Sequence, residues 1–114
     1  MKENVILDLS FEFALAIIAF CELLEADKKY VIARQLLKAG TSIGANIREA
    51  QNCESTADFI HKMKIAAKEA DETEYWLELC KHAKNYPDPD ALLINIVSIK
   101  KLLNAIISTM KRKT

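Results

Sequence analysis

The sequence is short of glycine and proline, the two residues that interrupt helices most strongly. It has two of each among 114 residues, and no stretch alternates apolar and polar residues in the manner of a half-buried strand. These absences exclude a β-sheet fold. Three polar breaks, "EADKK", "QNCES" and "NYPDPD", divide the chain into four helices near 8–26, 30–52, 56–85 and 89–112. Short connections favour neighbours that run in opposite directions, so we predict an all-α, antiparallel up-and-down four-helix bundle in a single domain over residues 1–114.

The chain also lacks an excess of charge, a long apolar run and a paired set of cysteines. Sixteen basic and sixteen acidic residues give a formal net charge of zero, whereas non-specific nucleic-acid-binding proteins are normally strongly basic. The most apolar run, "FEFALAIIAFCELL", contains two glutamates and is shorter than the roughly twenty apolar residues of a membrane span. Three cysteines with no close pair favour small core residues in a reducing compartment. We therefore expect a cytoplasmic protein with no signal peptide and no membrane partner.

Regular apolar spacing identifies the inner faces of the third and fourth helices. Ser55 precedes the third helix and Asp58 follows three residues later, as in a capping box. Asp88, Pro89 and Asp90 suit the cap, the first position and the positive dipole end of the fourth helix. In both helices the apolar residues repeat in steps of four and three, the pattern of a helix packed along one face. The two stripes are Phe59, Met63, Ala66, Ala70, Thr73, Leu77 and Cys80, and Leu92, Ile96, Ile99, Leu103, Ile106 and Met110.

Both glycines of the chain fall in one stretch of the second helix, "KAGTSIGANIREAQ". A glycine inside a helix costs about 1 kcal/mol relative to alanine, so these positions need a compensating contact. Ala33, Leu37, Gly40 and Gly44 share one side of the helix, and missing side chains there allow another helix to come close. A phosphate-binding loop is disfavoured because such loops precede a helix and continue with Gly-Lys-Ser/Thr. We predict a close helix crossing at these four residues.

The first helix carries more apolar residues than one bundle can bury. Between Phe11 and Leu24 only Glu12 and Glu22 are charged, so apolar side chains surround most of the helix. A peripheral helix needs only one apolar stripe, and self-association is the simplest way to cover the other sides. The candidate residues for an interface between copies are Phe11, Phe13, Ile17 and Phe20.

No group of residues in the sequence matches a catalytic or metal-binding pattern. A di-iron site in a four-helix bundle needs Glu-x-x-His on two helices, and the only approximation is the segment from Asp58 to His61. The other histidine, His82, has Leu79 three residues before it, and the histidine and cysteine spacings of zinc sites are missing. No serine has a histidine nearby in the sequence. We therefore predict a non-enzyme with no cofactor.

Basic residues are the one indication of a polar partner. The second helix has a basic edge, and from residue 100 onward the chain has five basic residues and no acidic one. The candidates for contact with nucleic acid are Arg34, Lys38, Arg48, Lys100, Lys101, Lys111, Arg112 and Lys113. Solubility and complementation of the helix dipole are the simpler explanation, because the chain lacks a basic pI. Repetition of the cluster around an oligomer would still raise a weak affinity for phosphates.

The second and third helices resemble a known family. The segments "RQLLKAGTSIGANIREAQ" and "ESTADFIHKMKIAAKEADETEYWLEL" are similar to the bacterial four-helix-bundle proteins encoded in intervening sequences of 23S ribosomal RNA, often labelled S23 ribosomal proteins. The most specific parts are Arg34-Gln35-Leu36, Thr41 to Ile47, Asp58-Phe59, Ile65-Ala66 and Glu74-Tyr75. The resemblance implies an up-and-down bundle that assembles into a homopentamer and has no established catalytic residues.

A relative of that family, the accessory protein of diversity-generating retroelements, is similar in architecture and implies contact with nucleic acid and a reverse transcriptase. This chain differs from that relative in being electrically neutral. Two functions therefore remain open: an adaptor that binds RNA or DNA, and a structural module whose partner is a protein. Composition favours the protein partner and the family context favours nucleic acid, and we place nucleic acid narrowly first.

Overall fold

A computed structural model describes residues 4–113, which form four α-helices. In chain order they are α1 (Val5–Ala26), α2 (Tyr30–Ala50), α3 (Thr56–His82) and α4 (Asp90–Arg112). No strand occurs within the described residues. The all-α prediction and the four helices are confirmed, and each predicted end lies within three residues of the observed one.

Polar side chains fix where three of the helices begin. The Asn4 side chain accepts a hydrogen bond from the Leu7 backbone N–H at 3.2 Å, and α1 therefore starts three residues earlier than predicted. Ser55 Oγ accepts from the Asp58 backbone N–H at 3.0 Å, as the capping-box pattern predicts. Asp88 Oδ1 accepts from the first N–H of α4 at 3.0 Å. Each bond satisfies a backbone donor that has no partner inside its helix.

The helices lie side by side along the long axis of the molecule, which measures 48 × 24 × 21 Å; the 27 residues of α3 alone reach about 40 Å. Each helix packs against its neighbours in the chain, and α1 completes the cycle by packing against α4. The contact between α1 and α4 is the sparsest of the four. A groove of about 420 Å³ opens along that seam.

The core is built from one stripe of each helix. The predicted stripe of α3 is buried from Met63 to Cys80, and that of α4 from Leu92 to Leu103. Residues nearer the ends of these stripes, Phe59 and Ile106, are half-buried and pack against the core. The buried residues of α1 are Ile6, Ser10, Phe13, Ile17, Phe20, Cys21 and Leu24.

Two polar side chains of residues 4–113, Ser10 and Thr73, are fully buried. The Ser10 hydroxyl donates to the Leu7 carbonyl at 3.0 Å, and the Thr73 hydroxyl donates to the Glu69 carbonyl at 2.7 Å. Because both groups are satisfied by their own helices, neither needs a partner from another element.

Among the described residues, α4 is the one helix long and apolar enough to cross a membrane by length and composition. A core helix of a soluble protein meets the same two criteria, and 33% of the apolar stretch is buried inside the bundle. The length and composition of α4 are therefore only weak evidence for a membrane span.

Candidate functional site

The close crossing of the two glycines lies between α1 and α2. Gly40 is buried, and a Cβ atom placed on it would lie 2.8 Å from Ile17 Cγ1 and 2.9 Å from Ile17 Cγ2, closer than real Cβ contacts. At Gly44 the same atom would lie 3.4 Å from the carbonyl oxygen and Oγ of Ser10, at the edge of ordinary van der Waals contact. The backbone of α2 therefore approaches the Ile17 side chain at Gly40 and the α1 backbone at Gly44.

The other two residues assigned to this crossing differ from each other. Ala33 is buried on the side of α2 that carries Gly40. Leu37 is 39% exposed, so its assignment to the crossing is corrected. It lies at the outer edge of this side of α2, with Gly40 between it and the buried residues Leu36 and Ile43 around the helix.

Three of the four residues proposed for an interface between copies lie in the core of their own chain. Phe13, Ile17 and Phe20 are buried with Leu24, because steps of three and four residues place them on one side of α1. Their assignment to a surface is therefore corrected. Phe11 is 57% exposed and is the one member of that set that another molecule can contact.

The exposed side of α1 is apolar in its middle and acidic at both ends. Leu15 is 48% and Ile18 is 42% exposed, and sequence reasoning overlooked both residues. Their signal was the same three-and-four spacing, read from Phe11 instead of Phe13. We define the α1 outer face as Asp8, Phe11, Leu15, Ile18, Glu22 and Glu25. No residue of α1 is basic.

The exposed side of α2 is basic and has small residues in its middle. Arg34, Lys38 and Arg48 lie on one side of the helix, because successive steps of four and three residues join them through Thr41 and Ala45. The Thr41 hydroxyl donates to the Leu37 carbonyl at 2.7 Å, so it is satisfied inside the helix. We define the α2 outer face as Val31, Arg34, Lys38, Thr41, Ala45 and Arg48.

A groove of about 290 Å³ separates these two faces at the level of Gly44. Phe11 and Ala14 line it from α1, and Ala45 and Arg48 line it from α2. Because Gly44 has no side chain, the floor of the groove is formed partly by backbone. The groove is mainly apolar, with one carboxylate and one cation among its lining residues, and this lining suits an apolar side chain of a partner better than a charged ligand.

Lys100 is engaged within the chain. Its ammonium group lies 2.6 Å from Glu74 Oε1 and 2.8 Å from Asp71 Oδ1, both on α3. Hydrogen bonds to Asp71 and Glu74 raise the pKa of Lys100 above its ordinary value of 10.5. Since the two carboxylates already neutralise it, Lys100 is corrected from a nucleic-acid contact to an ion pair between α3 and α4.

A separate group of cations lies where α4 ends. Lys111, Arg112 and Lys113 are exposed, and Lys64 of α3 joins them. The hydrogen bond and positive charge of Lys111 lower the pKa of Lys64 below 10.5. We define the basic end as Lys64, Lys111, Arg112 and Lys113. Lys64 could not be found from the sequence, since only the packing of α3 on α4 brings it to the end of the chain.

The remaining basic candidates do not join the basic end. Lys101 is exposed on α4, and Arg34, Lys38 and Arg48 are exposed on α2. The α2 outer face belongs to a helix that does not pack against α4. The eight predicted cations therefore form separate surfaces rather than one track for a nucleic-acid backbone.

The cysteines and histidines show no arrangement for chemistry. Burial raises the pKa of the Cys21 and Cys80 thiols to about 11, with a smaller contribution at Cys21 from Cys80, so both are core thiols as predicted. Cys53 is half-buried rather than in the core, and its thiol donates to the Glu49 carbonyl at 3.7 Å. In residues 4–113 no three histidine, cysteine or acidic side chains are grouped to hold a metal ion.

Comparison with known proteins gives one consistent result. A family model described as 23S rRNA-intervening sequence protein matches residues 2–105. A crystal structure of a protein with unknown function from the S23 ribosomal protein family of Bacteroides thetaiotaomicron VPI-5482 is 45% identical, with a TM-score of 0.85. That similarity covers 90% of this chain and 97% of the other. No curated protein matches the chain.

Proposed function

The chain belongs to the 23S rRNA-intervening sequence protein family, and from that premise we propose that it is a non-enzymatic, self-assembling module. In this proposal, antiparallel up-and-down bundles associate into a closed homopentameric ring in the cytoplasm. The exposed apolar centre of the α1 outer face is the observation that carries the proposal.

Contacts between helices support the antiparallel order of the bundle. Ile17 lies opposite Gly40 while the earlier residue Ser10 lies opposite the later residue Gly44, which supports opposite directions for α1 and α2. The same reversal relates α3 to α4, where Lys81 pairs with Asp90 and Glu74 pairs with Lys100. This order leaves the outer sides of α1 and α2 on neighbouring corners of the bundle.

Self-association is supported by the large apolar side chains that one chain leaves uncovered on α1. Phe11, Leu15 and Ile18 are exposed in consecutive turns, and contiguous apolar patches on small soluble proteins mark interaction sites. Covering them with a second copy removes their apolar surface from water, which stabilises the assembly by about 25 cal/mol per Å² before the costs of association. The resemblance to the S23 family supplies the number five and the closed ring.

Light scattering on the purified chain tests this proposal. We expect a particle mass several times the 12.9 kDa of one chain at micromolar concentration, with helical circular dichroism. A mass of 12.9 kDa at every micromolar concentration measured would contradict self-assembly, and the single bundle would then be the functional unit.

Contact with nucleic acid is a second candidate function, favoured by the basic end. Lys64 and Lys111 approach each other closely enough to lower the pKa of Lys64, and such neighbouring cations favour an anion near them. A ring repeats the basic end once per copy, and several weak phosphate contacts then act together. The protein-partner alternative remains the simpler function if no nucleic acid binds.

A salt titration of binding to structured RNA and to duplex DNA tests this second function. Phosphate-driven binding should weaken linearly in a log–log plot, with a slope of about −0.9 per neutralised phosphate on B-DNA. Reversing the charges of Lys111, Arg112 and Lys113 should flatten the slope without changing the particle mass. Lys84→Glu, at an exposed loop position away from the basic end, is the control and should leave the slope unchanged. Absence of binding by the intact assembly at low salt would reject nucleic acid as a partner.

A further inference from the structure

We propose that the α1 outer face of one copy packs against the α2 outer face of another copy, with Glu22 paired to Arg34 across the contact. The inference rests on the self-assembly proposed above and specifies the two surfaces that meet. The occupant of each face is thus a second copy of this chain.

The first observation is a separation of charge between two neighbouring helices. α1 has four acidic residues and no basic one, while the charged residues of the α2 outer face are all basic. Within residues 4–113, no salt bridge engages Glu22, Arg34 or Lys38. Elsewhere in the bundle, cations such as Lys62, Lys81 and Lys100 do have acidic partners. The outer faces of α1 and α2 therefore carry charges without a partner in their own chain, and these charges are opposite in sign.

The second observation is the register between the two helices. Ile17 is level with Gly40, and Ser10 is level with Gly44. Height here means position along the helix axes. Counting outward from these contacts at about 1.5 Å per residue, Glu22 is at the height of Arg34 and Asp8 is at the height of Arg48. In the proposed ring the axis runs parallel to the helices, so the rotation leaves every height unchanged and closure permits no translation along the axis. Glu22 of one copy therefore meets Arg34 of another at the same height.

The third observation is that the uncharged residues of the two faces also fit in this register. Phe11 is level with Ala45 and Leu15 is level with Thr41, so each large apolar side chain meets a small residue. The Thr41 hydroxyl is bonded to the Leu37 carbonyl, and the threonine can face an apolar partner without an unsatisfied donor. Size and charge thus agree at four of the six levels, whereas Ile18 lies level with Lys38 and Glu25 lies level with Val31.

This contact assigns Arg34, Lys38 and Arg48 to assembly instead of nucleic acid. The basic end lies on other helices, α3 and α4, and stays exposed after the outer faces of α1 and α2 have met. Of the candidates for contact with nucleic acid, this leaves the basic end and, apart from it, Lys101.

Cysteine cross-linking of the full chain tests the contact. Glu22→Cys and Arg34→Cys are combined in a Cys53→Ser background, since Cys53 is the one native thiol of the three that is not buried. After mild oxidation, we expect a ladder of covalent oligomers on a non-reducing gel that ends at the size of the ring. A monomer band alone, from a sample whose light scattering shows an assembled particle, would overturn the contact while leaving self-assembly intact.

A matched control places the second cysteine on α3. Glu78 is exposed and lies at about the height of Arg34, because Glu49 of α2 pairs with Lys62 of α3. Glu22→Cys with Glu78→Cys should give no ladder, and an equal ladder from this control would also overturn the contact. A covalent dimer and nothing larger from the Glu22/Arg34 pair would support the contact and contradict the ring. A parent particle mass of 12.9 kDa would reject self-assembly and this contact together.

Charge reversal supplies a second readout that does not depend on oxidation. Glu22→Arg and Arg34→Glu should each raise the concentration needed for half-assembly by roughly tenfold, since each places like charges opposite one another. The double variant Glu22→Arg/Arg34→Glu should recover assembly, because the two reversed residues then pair at every contact of the ring. If the double variant assembles no better than either single variant, the pair does not lie between copies and the contact is wrong.

Discussion

At the scale of single residues, the two glycines of α2 have different neighbours, although their spacing places both on the same side of the helix. The pattern predicted a close crossing on one side of α2. It could not predict that Gly40 faces the branched side chain of Ile17 while Gly44 faces the backbone of Ser10, because the partner helix is set by tertiary packing. The tight position is therefore Gly40.

Alanine substitution distinguishes the two positions. Gly40→Ala should destabilise the fold by about 1–3 kcal/mol, because its new methyl group would lie 2.8 Å from a buried and stiff isoleucine. Gly44→Ala should be neutral or stabilising by up to about 1 kcal/mol, since alanine favours the helix and its methyl group would lie at ordinary contact distance from Ser10. Urea denaturation of both variants measures the difference. Equal stabilities would contradict the close approach at Gly40.

Lys100 gives a prediction that depends on pH. Its pKa is raised in the folded protein, so its contribution to stability is fully present below about pH 10 and declines as the pH rises through the raised value. Lys100→Gln should cost about 1 kcal/mol at pH 7, because the lysine is partly exposed and its carboxylates remain on the surface. The stability gap between parent and variant should shrink toward pH 11. A gap that is absent at pH 7, or unchanged at pH 11, would show that the ion pair contributes nothing.

At the scale of the helices, the sequence predicted α3 and α4 well and the inner face of α1 poorly. α3 and α4 each have one regular stripe of buried residues and a polar side chain that accepts a hydrogen bond in the first turn, so period and capping agree. α1 is apolar on most sides, and its sequence pattern does not show whether Phe11 or Phe13 faces the core. Only the positions of the other three helices decide that Phe13 is inside and Phe11 is outside.

Truncating these two phenylalanines separates folding from assembly. Phe13→Ala should cost about 3–5 kcal/mol in the free energy of unfolding, because it removes a buried ring and leaves a cavity. Phe11→Ala should change the stability of one chain by less than about 1 kcal/mol and should shift the assembled particle toward smaller species. Urea denaturation and sedimentation velocity measure the two effects. A Phe11→Ala particle that sediments like the parent at every concentration would place the interface elsewhere.

At the scale of the whole molecule, the fold was more predictable than the assembly. Helix number and helix bounds follow from local signals that sequence carries directly. The pairing of an acidic α1 face with a basic α2 face becomes visible only when burial defines the faces and the crossing at Gly40 fixes their register. The number of copies depends on the angle between two such faces, which no single helix encodes.

Assembly also decides how the basic residues can act. In one chain they form separate surfaces of a protein with zero net charge, and a single basic end offers few phosphate contacts. In a ring the same end recurs around an axis, so its effect grows with the number of copies. Function at this scale depends first on whether the chain assembles.

Native mass spectrometry of the purified chain tests the central claim most directly. A closed ring of five predicts one dominant species at five times the 12.9 kDa chain mass, with no series of larger multiples, because closure leaves no free face. A dominant monomer would contradict assembly, and an open series of multiples would contradict closure.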